Sequence, residues 1–208
     1  DISAATRKGV VVMNTPDANT ISAAEHTLAL LLSLSRNVSI GHHSILGGNW
    51  DRHKFVGSEI RNKTLGIVGL GKIGKEVMQR AQGFGMKIIG YDPFIKEDMF
   101  RSDEIELLEL DELVENSDFI TVHIPLTANT ENLFDYMMLS KMKKEARIIN
   151  VARGGIINEE DLAKALEEKI IAGAAIDVFR DEPISKNNPL LKSPNLVLTP
   201  HLGGSTKE

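Results

Sequence analysis

The sequence predicts an α/β fold in which helices cover both faces of a parallel sheet. Between Thr64 and Leu198, six apolar runs alternate with amphipathic stretches. The runs read TLGIVGL, KIIGYD, DFITVHIP, ARIINVA, AGAAIDVF and NLVLTP, and the stretches include KIGKEVMQRAQGFG, LDELVENS and INEEDLAKALEEK. Strands that alternate with helices usually pair in parallel, and the helices that connect them cover both faces of the sheet.

The residues before Thr64 predict a short strand, a long helix and a connection. GVVVMNTP predicts a strand at residues 9–13 and then a turn. Ser22 and Glu25 have the spacing of a capping box, so a helix is expected to begin there. Its continuation, HTLALLLSLSRN, is apolar on nearly every side, which predicts a helix that is buried or lies in an interface. The polar stretch GHHSILGGNWDRHKFVGSEIRNK predicts connecting structure.

Two polar segments lie inside the α/β region. Asn158 precedes Glu159, Glu160 and Asp161, which predicts a capped helix start with acids at the positive end of the helix dipole. RSDEIELLELDE predicts a solvated face without a functional role.

Composition narrows the class of protein. The chain has 208 residues, 42% of them hydrophobic, and a net charge of -5, which argues against nucleic acid as a partner. No cysteine is present, which is compatible with a reducing cytoplasm, and no apolar run is long enough to cross a membrane. The chain lacks an initiator Met and both ends look cut, so it is expected to be a piece of a longer protein.

A glycine motif follows the first of the six runs. Gly69, Gly71 and Gly74 form G-x-G-x-x-G between the strand TLGIV and a helix that is expected to begin near Lys72. This is the dinucleotide-binding context of a Rossmann-like, doubly wound sheet. The phosphates of the cofactor are expected on the amides of Lys72 and Ile73 at the helix N-terminus.

Asp92 ends the second run, eighteen residues after Gly74. A carboxylate there accepts hydrogen bonds from ribose hydroxyls and repels a 2′-phosphate, so NAD is the expected cofactor. The alternative is a glycine-rich turn followed by an ordinary Asp-Pro turn.

Four charged or titratable residues follow the last three runs. Arg153, Asp177, Glu182 and His201 all fall at the carboxyl edge of the predicted sheet, where ligands bind. An arginine binds a carboxylate through two parallel bonds, and a histidine can remove a hydroxyl proton while a carboxylate orients its ring. Each has an ordinary alternative: a surface salt bridge for Arg153, turn chemistry for Glu182, and a loop carbonyl partner for His201.

The sequence resembles the D-isomer-specific 2-hydroxyacid dehydrogenases over essentially its whole length. The resemblance rests on NTPDANTISAAEHTLALLL, GIVGLGKIGKEV, SDFITVHIPLT, NVARGGIINEEDLAKAL, AGAAIDVFRDEP and LTPHLGGSTKE. The GGST that follows His201 looks most like the phosphoglycerate branch of that family. The resemblance therefore implies NAD-dependent oxidation of 3-phosphoglycerate to 3-phosphohydroxypyruvate, the first step of serine biosynthesis.

The resemblance also implies roles for individual residues. Arg153 matches the arginine that binds the substrate, Glu182 the acid that supports the histidine, and His201 the acid/base. Asp177 matches the residue that contacts the nicotinamide carboxamide, and Asn19 falls near the substrate. The residues expected to line the cofactor are Ile124, Pro125, Val151, Ala152, Gly203 and Gly204.

The resemblance divides the chain into three parts and leaves two alternatives. Residues 1–18 match the end of a substrate-binding domain, 19–201 an NAD-binding domain, and 202–208 the start of a return to the first domain. The helix at 22–36 matches the dimerisation helix of the family, so a homodimer or larger homo-oligomer is expected. The alternatives are a glyoxylate or hydroxypyruvate reductase, and an NADH-sensing protein of the corepressor type.

Overall fold

Seven parallel strands form one sheet in the computed structural model, which describes residues 1–13, 18–95 and 105–207. The strands are β1 Thr64–Val68, β2 Lys87–Tyr91, β3 Glu106–Leu107, β4 Phe119–Val122, β5 Arg147–Asn150, β6 Gly173–Ile176 and β7 Leu196–Leu198. Their order is β3-β2-β1-β4-β5-β6-β7, and every neighbouring pair is parallel. Six of the strands lie in the six apolar runs, so the predicted parallel sheet is confirmed.

The helices connect these strands and precede them. They are α1 Ile2–Arg7, α2 Thr20–Ser35, α3 Val38–Leu46, α4 Lys72–Gly83, α5 Leu110–Asn116, α6 Tyr136–Ser140 and α7 Glu159–Glu167, with short 3-10 turns at Arg52–Lys54 and Pro189–Lys192. Helix α4 begins at Lys72 as predicted. The side chain of Asn158 accepts hydrogen bonds from the amides of Glu160 and Asp161, which confirms it as the cap of α7.

Successive residues of each strand face opposite layers, and both layers are apolar. One layer packs α2 and α4 on the sheet, and its fully buried members include Leu31, Leu65, Ile67, Val77 and Ile149. The other layer packs α5, α6 and α7 on the opposite face, and its fully buried members include Leu113, Ile120, Leu139, Ile148 and Leu162. Each fully buried side chain of this kind contributes roughly 2 kcal/mol to folding. Helices on both faces confirm the doubly wound architecture.

The prediction of a strand at residues 9–13 is wrong. Val10, Val11, Val12 and Met13 belong to no strand and are between 58% and 87% exposed. Backbone in a strand needs a neighbour for its amides and carbonyls, and no described strand pairs with this segment. The turn expected after it lies outside the described residues.

Two other expectations before β1 are corrected, and one after it is corrected in part. Helix α2 begins at Thr20 after Asn19, so Ser22 lies inside the first turn, where its Oγ donates to the Asn19 carbonyl instead of forming a capping box. Helix α3 occupies part of the segment expected to be a connection. In the acidic segment, Ile105 is buried and fills the space beside Gly90. The two residues after it form the edge strand β3, which was not expected. The described acids of the segment are exposed, as a solvated face requires (Glu106, Glu109, Asp111 and Glu112), and residues 101–104 lie outside the described residues.

Helix α2 lacks a polar face because most of it is covered by the same chain. Its buried residues pack on α4 and on the sheet (Ala23, Ala24, Thr27, Leu28, Leu30, Leu31, Leu34 and Ser35). Ile21 and Glu25 remain exposed, near its beginning. Among the described residues, no helix combines the length and hydropathy that a membrane crossing requires.

Candidate active site

The carboxyl ends of the strands form one edge that carries every expected site residue except Asn19. Gly69 follows β1, Asp92 follows β2, and Asp177 follows β6. The strand order reverses between β1 and β4, and a parallel sheet binds ligands at the crevice where this happens. Asn19 reaches the same place from the start of α2, beside Gly204.

The three glycines of the motif meet three different steric requirements. Gly69 has φ +100, and a Cβ there would lie 2.7 Å from the His123 carbonyl group. A Cβ on Gly74 would lie 2.1 Å from the Gly69 carbonyl oxygen, so the helix can approach the loop only without a side chain. A Cβ on Gly71 would meet nothing within 4 Å. The open space at Gly71, next to the first amides of α4, fits a pyrophosphate.

Asp92 ties the second strand to the glycine loop. Its Oδ2 accepts from the Leu70 amide at 2.9 Å, and its Oδ1 accepts from the Phe94 amide at 2.9 Å. The second bond is the turn chemistry of the alternative interpretation, and the first holds the carboxylate against the dinucleotide motif. Because a carboxylate has about four acceptor positions, capacity remains for ribose hydroxyls, and that contact stays a prediction.

The turn that carries Arg153 is held by Asn150, the last residue of β5. Asn150 is 2% exposed; its Nδ2 donates to the Arg153 carbonyl at 2.9 Å, and its Oδ1 accepts from the Ala152 amide at 3.0 Å. The guanidinium of Arg153 donates from Nη1 to the Ala152 carbonyl at 2.6 Å. No described carboxylate pairs with Arg153, so its remaining donors are available to a ligand and the salt-bridge alternative finds no support.

Gly154 brings the Arg153 turn against the loop that carries Glu182. A Cβ at Gly154 would lie 1.8 Å from the Phe179 carbonyl oxygen and 2.6 Å from the Arg180 amide nitrogen. Both neighbours are backbone atoms, which cannot rotate away as a side chain can. The two loops are therefore packed main chain to main chain.

His201 and Glu182 form a hydrogen-bonded pair. The distance between His201 Nδ1 and Glu182 Oε2 is 2.6 Å, and Glu182 Oε1 also accepts from the Phe179 amide at 3.0 Å. Partial burial raises the pKa of Glu182, but these hydrogen bonds outweigh it and hold the pKa below its ordinary value. An ionised carboxylate only accepts, so Nδ1 of His201 carries a proton, and in the neutral ring Nε2 is the atom that can accept one.

Asp177 lies beneath this pair and is fully buried. Its carboxylate accepts hydrogen bonds from the Thr199 hydroxyl at 2.6 Å and from the Leu202 and Gly203 amides at 2.8 Å each. Its main-chain carbonyl accepts from the His201 amide at 2.8 Å. In this structure Asp177 holds the turn that carries His201, and its expected contact with the carboxamide stays a prediction.

A cleft of about 210 Å³ gathers most of the expected residues. Its lining includes Asn19, Ile73, Ile124, Pro125, Val151, Ala152, Arg153, His201, Gly203 and Gly204. The cleft also contains His123, whose Nε2 lies 2.9 Å from the Thr121 hydroxyl. Burial lowers the pKa of His123 from 6.5 to about 4, so its ring is neutral near pH 7. The cleft thus combines apolar walls, a cationic donor and a base.

Sequence reasoning missed Asn150, His123, Thr199 and His26. Asn150 and Thr199 were quoted only as parts of strands, although a polar residue at the end of an apolar strand is a signal for a side chain that shapes the following turn. His26 lies on α2 and contacts Asp177, 151 residues later in the chain. A contact over that separation leaves no local pattern.

The comparisons with known proteins agree with this geometry. Residues 28–203 match the sequence model of the family described as D-isomer specific 2-hydroxyacid dehydrogenase, NAD binding domain. The chain is 48% identical over 208 residues to D-3-phosphoglycerate dehydrogenase 2, chloroplastic, of Arabidopsis thaliana, covering 100% of the chain and 33% of that protein. It is 50% identical over 210 residues to D-3-phosphoglycerate dehydrogenase of Synechocystis sp., covering 100% of the chain and 37% of that protein.

Among solved structures, the NAD-dependent formate dehydrogenase of Staphylococcus aureus in complex with NAD is similar to the chain. The TM-score is 0.89 at 36% sequence identity, and the match covers 99% of this chain and 63% of that one. The chain spans only part of the length of the two phosphoglycerate dehydrogenases, 33% of the Arabidopsis protein and 37% of the Synechocystis protein.

Proposed function

The chain belongs to the D-isomer specific 2-hydroxyacid dehydrogenases, whose NAD-binding domain it forms, and on that premise we propose that the full-length protein oxidises 3-phosphoglycerate to 3-phosphohydroxypyruvate. The observation that carries the dehydrogenase chemistry is the His201–Glu182 pair, 2.6 Å apart, next to Arg153. The choice of substrate is supported by the two phosphoglycerate dehydrogenases that share about half of its residues.

The glycine loop and the cleft hold the cofactor in this proposal. The amides of Lys72 and Ile73 bind the pyrophosphate over Gly71, where a Cβ would meet no atom within 4 Å. The walls formed by Ile124 and Val151 exclude water from the ring end of the cofactor. NAD, when bound there, supplies the acceptor for the hydride that leaves C2 of the substrate.

Arg153 binds the carboxylate of the substrate and polarises the C2 oxygen. Within the described residues its guanidinium makes one hydrogen bond, to the Ala152 carbonyl, so its other N–H groups can form the parallel pair of bonds that a carboxylate accepts. The main-chain contact at Gly154 fixes the turn of Arg153 relative to the loop of Glu182.

His201 removes the hydroxyl proton at Nε2. The hydrogen bond from Nδ1 to Glu182 selects the tautomer of the neutral ring in which Nε2 can accept the proton, and it stabilises the imidazolium that forms. The lowered pKa of Glu182 keeps that carboxylate charged at neutral pH, as this role requires.

A substrate panel on the full-length protein tests the proposal. NADH formation is measured with 3-phosphoglycerate, glycerate and glycolate, each with NAD and with NADP, and the reverse reaction is measured with glyoxylate and hydroxypyruvate. We expect the highest kcat/KM with 3-phosphoglycerate and NAD. A preference for glyoxylate or hydroxypyruvate would replace the substrate assignment, and NADH binding without turnover of any of them would favour the sensing alternative.

The domain boundaries and partners are part of the same proposal. Residues 19–201 form the NAD-binding domain, and residues 1–18 and 202–208 belong to the connections with a substrate-binding domain. Helix α2 (Thr20–Ser35), which corresponds to the helix expected at 22–36, contributes to a homodimer through its exposed residues, such as Ile21 and Glu25. We place the protein in the cytoplasm, with a small hydroxy acid as its ligand.

A further inference from the structure

His26 connects helix α2 to the turn that carries the expected acid/base. Its Nε2 lies 3.2 Å from Asp177 Oδ1 and 3.2 Å from Thr199 Oγ1. The side chain is 18% exposed, and Asp177 is fully buried. Neither the sequence patterns nor the proposed mechanism assigns His26 a role.

The protons of this cluster can be placed by counting donors. Thr199 has one hydroxyl proton, and it points to Asp177 along the short 2.6 Å contact. The carboxylate of Asp177 only accepts, and the Thr199 oxygen can still accept. Both contacts of His26 therefore need the proton on its Nε2, which makes His26 the fourth donor to the buried cluster.

The cluster fixes the main chain on both sides of His201. Asp177 accepts from the amides of Leu202 and Gly203, and Thr199 precedes the histidine by two residues. His201 itself has a positive φ of 54, a conformation that the surrounding structure must impose. A carboxylate that is buried without enough donors is destabilised, so the loss of one donor loosens this turn.

We propose that His26 is a positioning residue for His201: its Nε2–H holds the Asp177 carboxylate, which in turn holds residues 199–203. The inference rests on the proposed dehydrogenase function for its effect on turnover, but not for its effect on the turn. It makes helix α2 a part of the site, beyond its packing on the sheet.

Two nearly isosteric substitutions separate the donor from the packing. In His26→Gln, the side-chain amide offers an N–H at about the position of Nε2, whereas in His26→Met a chain of the same length offers none. In the full-length protein we expect kcat to fall about 10–100-fold in the Met variant, because displacement of a reacting group by about 1 Å has an effect of that size. In the Met variant, the KM for substrate and the Kd for NADH should stay within about twofold of the wild-type values. The Gln variant should keep kcat within about threefold of the wild type, because its amide N–H leaves His201 in place.

A second measurement does not depend on turnover. Hydrogen–deuterium exchange is followed in the peptide that contains residues 199–204, without cofactor. Exchange in the Met variant should be about tenfold faster than in the wild type, the equivalent of one lost hydrogen bond, and the Gln variant should match the wild type.

The outcomes are distinct. Equal kcat in the two variants, or a Met variant that is less stable to heat but has wild-type kcat and exchange, would overturn the proposal and leave His26 a packing residue. A wild type that oxidises no hydroxy acid would refute the proposed function, and the exchange data would still decide the role of His26. If the Met variant does not fold, His26→Asn replaces it, because its shorter amide stops short of Asp177. Its kcat must then fall below that of the Gln variant, and equality would refute the inference.

Discussion

Asn150 allows a quantitative test of how the Arg153 turn is held. The substitution Asn150→Ala removes two hydrogen bonds, one to the Arg153 carbonyl at 2.9 Å and one from the Ala152 amide at 3.0 Å. Each neutral hydrogen bond contributes about 1–1.5 kcal/mol, so the free energy of unfolding should fall by about 2–3 kcal/mol. The turn must then be ordered when substrate binds, and a cost of about 1.4 kcal/mol for this ordering raises KM about tenfold.

A second asparagine provides the matched control. Asn158 also makes two hydrogen bonds to the main chain, both accepted by its Oδ1, from the amides of Glu160 and Asp161 at 3.1 Å each. Its side chain is only partly buried, whereas Asn150 is 2% exposed. For Asn158→Ala we expect a loss of about 1 kcal/mol and an unchanged KM. Urea unfolding and steady-state kinetics of the full-length variants measure both effects. Equal destabilisation by the two substitutions, or an Asn150 variant with wild-type KM, would refute the reasoning.

Three further predictions address the base, the glycine loop and the neutral histidine of the cleft. His201→Asn should lower kcat about 10²–10⁴-fold while a fluorescence titration gives the wild-type Kd for NADH; a loss of kcat below tenfold would contradict the assignment. Gly74→Ala should weaken NADH binding by at least about tenfold, the effect of one misplaced contact, because the new Cβ would lie 2.1 Å from the Gly69 carbonyl oxygen. In the control Gly83→Ala the new Cβ meets no atom within 4 Å, so the affinity for NADH measured by calorimetry should not change. The folded protein keeps His123 neutral down to about pH 4, whereas in the unfolded chain the ring takes up a proton below about pH 6.5. The free energy of unfolding therefore falls as the pH falls from 6.5 to 4. Relative to His123→Gln, the wild type should lose about 3 kcal/mol over that window in urea unfolding, and parallel stability curves for the two proteins would exclude it.

The fold could be predicted from the sequence where the signal is local. Each of the six apolar runs contains a strand, and the glycine motif lies at the start of α4. Both could be predicted because strands and tight turns depend on the types of neighbouring residues in the sequence. Strand β3 was missed because two residues carry too short a pattern. The strand expected at residues 9–13 failed for the complementary reason: its composition is right, but no described strand lies beside it.

The sequence predicted those site residues that follow directly after strands. Parallel strands end at one edge, so Arg153 and His201 could be placed together before any distance was known. The supporting residues could not be found in this way. His26 approaches Asp177 only because α2 packs across the sheet, and the Asn150 side chain acts on main-chain atoms of its own turn. Such roles depend on packing rather than on sequence spacing.

The main-chain contact at Gly154 limits how this domain can be redesigned. Any residue other than glycine at position 154 would place its Cβ 1.8 Å from the Phe179 carbonyl oxygen. Because side-chain rotation does not move a Cβ, no rotamer relieves this overlap, so a library that varies residue 154 to change substrate preference is excluded. New specificities therefore require paired remodelling of both loops, because residue 154 has no room for a side chain and Arg153 binds the substrate carboxylate in the proposed mechanism. Recombination that takes one loop from a related protein should succeed only when it takes the other loop as well.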